Sequence, residues 1–387
     1  MAKIYIIAGE DSGDFIGGAL IKNLKAIYKS KIDFVGIGGS LMSEQGVKSL
    51  FPIYEINLIG FLEIVPHIFR LRKLIGQTVN DIIEQAPDIL ITIDSPGFTY
   101  RVAKKIRSRS PNIKMMHIVA PSVWAYKPGR AKKYAEIYDR LLVLLPFEPP
   151  YFQKLGLNTS YIGHPVLEQK FYSDDKDLLR KELRIPENAT IITVTPGSRK
   201  SEIIIHMPVF CESLNLVARK CGSLEVIFVL ANSTYKDLIK GFLTNAMFNF
   251  SFSYDRLKSY GVADIALAKS GTNTLEIAAS KTPMIVAYKL NIISYLLVKL
   301  FIKVKYISLI NIIANEAIIP EYIQSDCRVE NISSAIIDLL WGHEKSQIQL
   351  DECQKALYKL GFQSDQSPSF IAAQIIKKEF LDKLIEL

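Results

Sequence analysis

KIYIIAGEDSGDFIGG, residues 3–18, decides the fold: the apolar run Ile4–Ala8 leads directly into Gly9-Glu10-Asp11-Ser12-Gly13-Asp14, and Gly17-Gly18 follow one helical turn later. A strand that meets a helix through a glycine-rich turn is how a βαβ layout opens. Working outward, Asp33–Ile37, Ile89–Asp94, Lys114–Val119 and Arg140–Leu145 read as further strands. Asp14–Tyr28, Ile68–Gln85 and Tyr100–Arg109 read as amphipathic helices between them. Several of the strands are apolar at consecutive positions, the pattern of parallel strands covered by helices on both faces. The first half is therefore expected to be a doubly wound α/β domain.

After Gly163-His164-Pro165 the chain turns polar across Glu168–Asn188, the expected linker. Strand signals restart at Thr190–Thr195, Leu224–Leu230, Asn249–Ser253, Ile265–Ala268 and Met284–Ala287, which predicts a second α/β domain. The expected division is 1–165, 166–355 and a helical tail, 356–387, that packs back on an N-terminal domain. No short-period repeat is present, so two similar layouts are expected rather than a solenoid. Open α/β sheets bind ligands outside the carboxyl ends of their strands, and two such domains facing across a cleft serve two substrates.

The 387-residue length suits two domains, and 49% hydrophobic against 22% charged residues excludes a disordered chain. Cys211, Cys221, Cys327 and Cys353 are widely spaced with no CxxC pair, which fits a reducing cytosol. The opening segment is too short and too acidic for a signal peptide, and no uncharged apolar stretch reaches the ~18 residues of a membrane span. The net charge is +8, and residues 1–165 hold 21 Lys+Arg against 14 Asp+Glu while the remainder holds 26 against 25. An excess confined to the first half points to an anionic partner there, whether phosphate-bearing lipid, membrane surface or nucleic acid; a merely basic surface is the alternative.

Several strand ends carry candidate chemistry. The Gly9–Asp14 turn suits an anion or a sugar hydroxyl, or is only a tight turn; its spacing and its acids do not fit a dinucleotide fingerprint. Asp94, in Ile93-Asp94-Ser95-Pro96-Gly97-Phe98, is either a general base or the cap of the next helix. Pro121-Ser122-Val123-Trp124-Ala125-Tyr126, leading to Lys127, Arg130, Lys132 and Lys133, reads as a wall for a sugar and its phosphate, or as a solvated basic face. In the second half, Thr195–Lys200 (TPGSRK) combines a helix start with a hydroxyl and a guanidinium, and Lys269–Glu276 (KSGTNTLE) repeats the arrangement with an acid one turn in. Together they suggest a nucleotide diphosphate, with the carboxylate on the ribose hydroxyls. The five histidines form no HExxH, and neither a metal nor another cofactor is expected. Ile56–Ile75 joins an apolar, aromatic run with Phe61 and Phe69 to Arg70, Arg72 and Lys73, the pattern of a helix in a lipid interface. Leu290–Ile313 is similar, with a buried core helix as its alternative.

With GEDSGD, IDSPGF, PSVWAY, LPFE at Leu145–Glu148, GHP at Gly163–Pro165, PGSR and SGTNTLE in this order, the chain resembles the lipid-A-disaccharide synthases over nearly its whole length. The resemblance implies a GT-B glycosyltransferase. It implies condensation of UDP-2,3-diacylglucosamine with 2,3-diacylglucosamine 1-phosphate to the β-1,6-linked disaccharide 1-phosphate and UDP. It also implies a cytoplasmic enzyme held peripherally at the inner membrane of a Gram-negative bacterium, and a homodimer with exchanged C-terminal parts, with no nucleic acid as partner. Asp94 then matches the essential acid, with Glu10 as second candidate base. Ser198, Arg199, Ser270, Gly271, Thr272, Glu276, Asn311 and Glu316 match the nucleotide-sugar side, and Ser12, Trp124, Lys127 and Arg130 fall to the acceptor. Departures are Asp11 and Asn273, where small residues are more usual, and Ile310, where a proline is expected. Other readings are a related GT-B enzyme, either the transferase of the peptidoglycan lipid intermediate or a UDP-sugar epimerase, and a non-catalytic nucleotide-binding module in which Asp94 is a cap.

Overall fold

Strand β1 (Ala2–Ala8) sends Ile4, Ile6 and Ala8 into one apolar core and Tyr5 and Ile7 into another. That period of two, with both faces buried, is what a central parallel strand requires. A computed structural model of the chain describes residues 2–57, 64–171, 176–183, 185–231, 233–291, 295 and 304–385.

Around β1 are β2 (Ile32–Ile37), β3 (Ile89–Ile93), β4 (Lys114–Ile118), β5 (Arg140–Val143) and β6 (Asn158–Tyr161), in the order β2-β1-β3-β4-β5-β6, every pair parallel. The second sheet comprises β7 (Thr190–Thr195), β8 (Leu224–Val229), β9 (Asn249–Ser253), β10 (Ile265–Ala268), β11 (Met284–Tyr288) and β12 (Glu321–Ile323). Its order is β12-β11-β10-β7-β8-β9, again parallel throughout. Both are doubly wound: the order reverses between β1 and β3 in one sheet and between β7 and β10 in the other. The edge strands β6 and β12 escape a reading of apolar runs, because NTSY is polar and EYI is only three residues long.

Contacts divide the chain into two units, Met1–Glu168 with Ser364–Leu387, and Gln169–Gln363. In the first, Ala372, Ala373, Ile376, Phe380 and Leu381 of the C-terminal segment join the core beside β1. Polar contacts fix its register: the Glu168 carboxylate accepts from the Ser369 N–H at 2.6 Å and hydroxyl at 2.7 Å, and Arg140 pairs with Glu379 at 3.1 Å.

The helix Ile64–Gln85 corrects the reading of Ile56–Ile75 as one lipid-facing element. Ile56, Leu71, Leu74 and Ile75 are core residues, whereas Phe69 is 78% exposed beside the exposed Arg70, Arg72 and Lys73. Phe61 lies outside the described residues, as does much of Leu290–Ile313, of which Ile310 and Ile313 are buried. One described helix, Lys200–Cys221, is long and apolar enough to cross a bilayer. Its Ile203, Met207, Phe210, Leu214 and Val217 instead fill the core of the second unit.

Candidate active site

The first unit gathers its candidates at the β1/β3 reversal. Gly9 ends the β1 crossing so close to the next loop that a Cβ there would stand 2.1 Å from that of Ser95. Only glycine permits this approach, so the turn carrying Glu10 lies against the loop carrying Asp94. Asp94 and Ser95 both adopt left-handed backbone, φ 50° and 47°. Non-glycine residues pay for that conformation, and it concentrates at functional sites.

Asp94 is half-buried, and its Oδ1 accepts from the Ser95 N–H at 2.7 Å. It does not cap the following helix: the N-cap of Thr99–Arg109 is Phe98, and Thr99 Oγ1 donates to the Asp94 carbonyl at 2.6 Å. Burial pushes the Asp94 carboxyl above its usual range, opposed by the Ser95 N–H. Glu10 and Ser12 are exposed at the start of the helix Asp11–Tyr28. Asp14, by contrast, is buried and accepts from the N–H groups of Gly39, Leu41 and Met42 at 2.7, 2.9 and 3.1 Å, so that acid serves the fold.

The loop after β4 begins with Val119 at φ 77°, a β-branched residue in left-handed backbone. Trp124 is half-buried, with Nε1 donating to Glu148 Oε1 at 3.1 Å and its ring edge-on to Phe147. Lys127 is exposed and Arg130 starts the short helix Arg130–Ala135. Beneath these loops His117 is fully buried; burial lowers it to about 3, and its Nδ1 lies 2.7 Å from Thr92 Oγ1.

The second unit arranges its loops around the β7/β10 reversal. Gly197 (φ 133°) turns the chain after β7 into the helix Lys200–Cys221. Glu202, three residues after the N-cap Arg199, accepts from the Ser198 N–H at 3.0 Å and the Arg199 N–H at 3.4 Å. These two N–H groups are therefore taken by the protein's own carboxylate, which also lies 3.4 Å from one nitrogen of the Arg199 guanidinium; the rest of that guanidinium, on a side chain 67% exposed, and the Ser198 hydroxyl face outward beside them. Burial raises the Glu202 carboxyl, but Lys269 at 3.1 Å, the Ser198 N–H and Arg199 outweigh it and hold it below the usual range. His206 stands behind the loop, its Nδ1 2.9 Å from the Pro196 carbonyl and its Nε2 accepting from the Lys289 N–H at 3.0 Å. Those partners define a neutral ring with its proton on Nδ1, in keeping with the lowering by burial.

After β10, Ser270 Oγ donates to the Ile307 carbonyl at 2.6 Å, Thr274 Oγ1 donates to the Gly271 carbonyl at 2.8 Å, and Thr272 is exposed at the N-cap of Asn273–Ala279. Glu276 is only 6% exposed and pairs with Arg256 at 3.1 Å; burial raises it, opposed by Arg256 and Gln169. Glu316 is exposed. Asn311 corrects the sequence reading of it as a nucleotide contact. It is fully buried, its amide donates to the Ile319 carbonyl and Glu321, and its oxygen accepts from the N–H groups of Ile318 and Ile319. All four hydrogen-bonding positions of that amide are spent inside the unit. Sequence reasoning gave no role to Glu148, Glu202, Lys269 or His206, although Glu148 and Lys269 lie in the quoted LPFE and KSGTNTLE motifs and the three-residue spacing from Arg199 to Glu202 marks a capping box.

A family model described as lipid-A-disaccharide synthetase matches residues 4–375 of the chain. A curated relative from Rickettsia felis named lipid-A-disaccharide synthase is 59% identical over 388 residues, covering 100% of this chain and 99% of that protein. One of the same name from Rickettsia prowazekii is 57% identical over 383 residues, covering 98% and 100%. Among solved structures, an S. aureus MnaA–UDP co-structure aligns with a TM-score of 0.68 at 12% identity, covering 100% of this chain and 98% of that one. A UDP-GlcNAc 2-epimerase from Neisseria meningitidis bound to UDP-GlcNAc aligns at 0.66 and 12%, covering 100% of both. A glycosyltransferase from Rickettsia africae aligns at 0.57 and 13%, covering 100% and 99%. At such identities these structures establish the fold, GT-B with two Rossmann-like units.

Proposed function

Because the chain belongs to the lipid-A-disaccharide synthetase family of glycosyltransferases, we propose that it joins UDP-2,3-diacylglucosamine to 2,3-diacylglucosamine 1-phosphate by a single inverting displacement. The acceptor 6-hydroxyl oxygen bonds to the anomeric carbon, the bond from that carbon to the UDP oxygen breaks, and the hydroxyl proton passes to the base. The products are the β-1,6-linked disaccharide 1-phosphate and UDP. The observation that carries this reading is that the segments bearing Glu10 and Asp94 follow β1 and β3, and those bearing Arg199 and Glu276 follow β7 and β10, the strands between which each sheet's order reverses.

Asp94 is the base in this proposal, because it is a half-exposed carboxylate whose burial raises its proton affinity, and Glu10 on the adjoining turn is the second candidate. Ser12, Trp124, Lys127 and Arg130 receive the acceptor, the two cations meeting its phosphate. On the donor side Ser198 and Arg199 take the charge that develops on UDP, together with the N–H groups around Gly271 and Thr272, while Ser270, its hydroxyl proton given to the Ile307 carbonyl, shapes the loop that presents them. Glu276 meets the ribose from a buried position balanced by Arg256, and Glu316 flanks the nucleotide. No metal or cofactor is assigned a role.

Phe69 with Arg70, Arg72 and Lys73 forms the contact with an anionic membrane, giving a cytoplasmic enzyme peripheral to the inner membrane. The segment Ser364–Leu387 is the part that two copies would exchange in a homodimer. The test is an assay with EDTA of both substrates, reading disaccharide and UDP together, with Asp94→Ala alongside. Disaccharide from the wild type alone is expected. UDP binding without disaccharide would move the acceptor to another class.

A further inference from the structure

Glu148 is 4% exposed, and no lysine or arginine pairs with it among the described residues. A carboxylate so placed is costly unless hydrogen bonds replace its water. Here they do: Oε2 accepts from the Leu145 N–H at 3.0 Å, the Leu144 N–H adds another, and Oε1 accepts from Trp124 Nε1 at 3.1 Å. Every partner is a donor, so both oxygens must accept; a glutamine would turn its own N–H groups toward one of them. Phe147, the preceding residue, stands edge-on to the same indole with centroids 5.3 Å apart. The segment after β5 thus brackets one side chain of the loop after β4, and that loop leaves its strand through the left-handed Val119.

We propose that Glu148 is a positioning residue for the acceptor: its carboxylate fixes the Trp124 ring in the orientation that receives the acceptor sugar. This rests on the reading of Trp124 as part of the acceptor wall. Burial raises the Glu148 carboxyl to about 7, in keeping with a group that holds no cation. An indole pinned at its N–H edge has already lost the rotational freedom that binding would otherwise remove. Its release weakens acceptor binding without touching the reacting bond.

The chain's two tryptophans are Trp124 and Trp341, and Trp341 is 57% exposed at the end of Val329–Trp341, so Trp341→Phe leaves Trp124 as the sole tryptophan, read by excitation selective for indole over the tyrosines. In that background Glu148→Gln is expected to raise the acceptor KM about tenfold, the worth of one hydrogen bond to a charged group. The kcat should stay within about twofold and the donor KM unchanged, while Trp124 fluorescence anisotropy falls. Unchanged acceptor KM and anisotropy in Glu148→Gln would overturn the proposal. Trp124→Ala separates the two ideas. If it raises the acceptor KM while Glu148→Gln does not, only the positioning role fails; if it leaves that KM alone, the acceptor-wall reading fails and takes the proposal with it. Should Glu148→Gln not fold, Trp124→Phe keeps a ring and drops the N–H; an acceptor KM rise is expected, and none would overturn the proposal.

Discussion

Asn273 Nδ2 donates to Thr195 Oγ1 at 2.8 Å, tying the loop after β10 to the end of β7. In sequence Asn273 is a departure from the small residue usual at this position, yet in the fold it braces the two loops assigned to the donor. The Lys269 N–H, donating to the Thr195 carbonyl at 3.0 Å, continues the same seam.

Asn273→Ala removes the brace without removing a proposed ligand group. A net loss of ~1 kcal/mol for one hydrogen bond predicts a donor KM higher by about fivefold, with acceptor KM unchanged. Initial rates at varied donor concentration decide it, and an equal rise in both constants would count against the assignment of these loops.

Glu202 makes a prediction in pH. Its folded carboxyl lies below its ordinary value, so its contribution is fully present above the unfolded value of ~4.3 and is lost as pH falls through the folded value. Glu202→Gln should therefore lower Tm at neutral pH, and the gap from wild type should narrow progressively as pH falls below the ordinary glutamate range. Thermal melts from pH 3 to 7 test this, and a gap independent of pH would show that Glu202 acts through packing alone.

Much of the fold is legible in the sequence because β1, β3, β7 and β10 are apolar at consecutive positions, and parallel central strands leave that mark. The strand ends then point to Asp94, Arg199 and Ser270 through small and polar residues in the turns. What stays hidden is the assignment of polar groups to partners distant in sequence. Asp14 and Asp94 both sit in turn-like motifs, but only the packing of Gly39–Met42 against Asp14 makes one structural. Asn311 reads as a ligand group until its buried partners are seen, and Glu148, which the sequence shows only as the last residue of LPFE, has no role until Trp124 is found against it.

Asp14→Ala would strip an acceptor from three backbone N–H groups, two at part-buried and one at a buried position. An unmet buried donor costs ~1–3 kcal/mol, so a loss of at least ~2 kcal/mol in denaturant unfolding is expected. A stable Asp14→Ala protein with impaired turnover would instead give Asp14 a role in the active site.

The surface around Phe69 predicts salt-sensitive binding to lipid. Burying a phenyl ring in a bilayer interface is worth ~2 kcal/mol, so Phe69→Ser should weaken partition onto vesicles containing anionic phosphatidylglycerol by about tenfold or more. Arg72→Glu should weaken it further and flatten its dependence on salt. Vesicle sedimentation at two ionic strengths measures both, and partition unaffected by either change would remove this face from the membrane contact.

Asp94→Asn brings activity and stability into opposition. Loss of a general base predicts a turnover lower by about 10²–10⁴-fold, with UDP-donor binding retained. The fold should tolerate the change well, since asparagine accepts left-handed backbone and the φ of 50° stays available to it. Because the folded carboxyl is raised, Asp94 favours folding below its unfolded value, and that advantage disappears as pH rises through the folded value; at neutral pH the buried charge is a cost. Asp94→Asn should therefore melt at or above the wild-type temperature at pH 7 and lose that advantage in acid. The wild-type rate should fall in acid along a limb lying above the ordinary aspartate range, since the base acts only when ionised. Near-normal turnover in Asp94→Asn would pass the role to Glu10, which would then be expected to supply that limb instead.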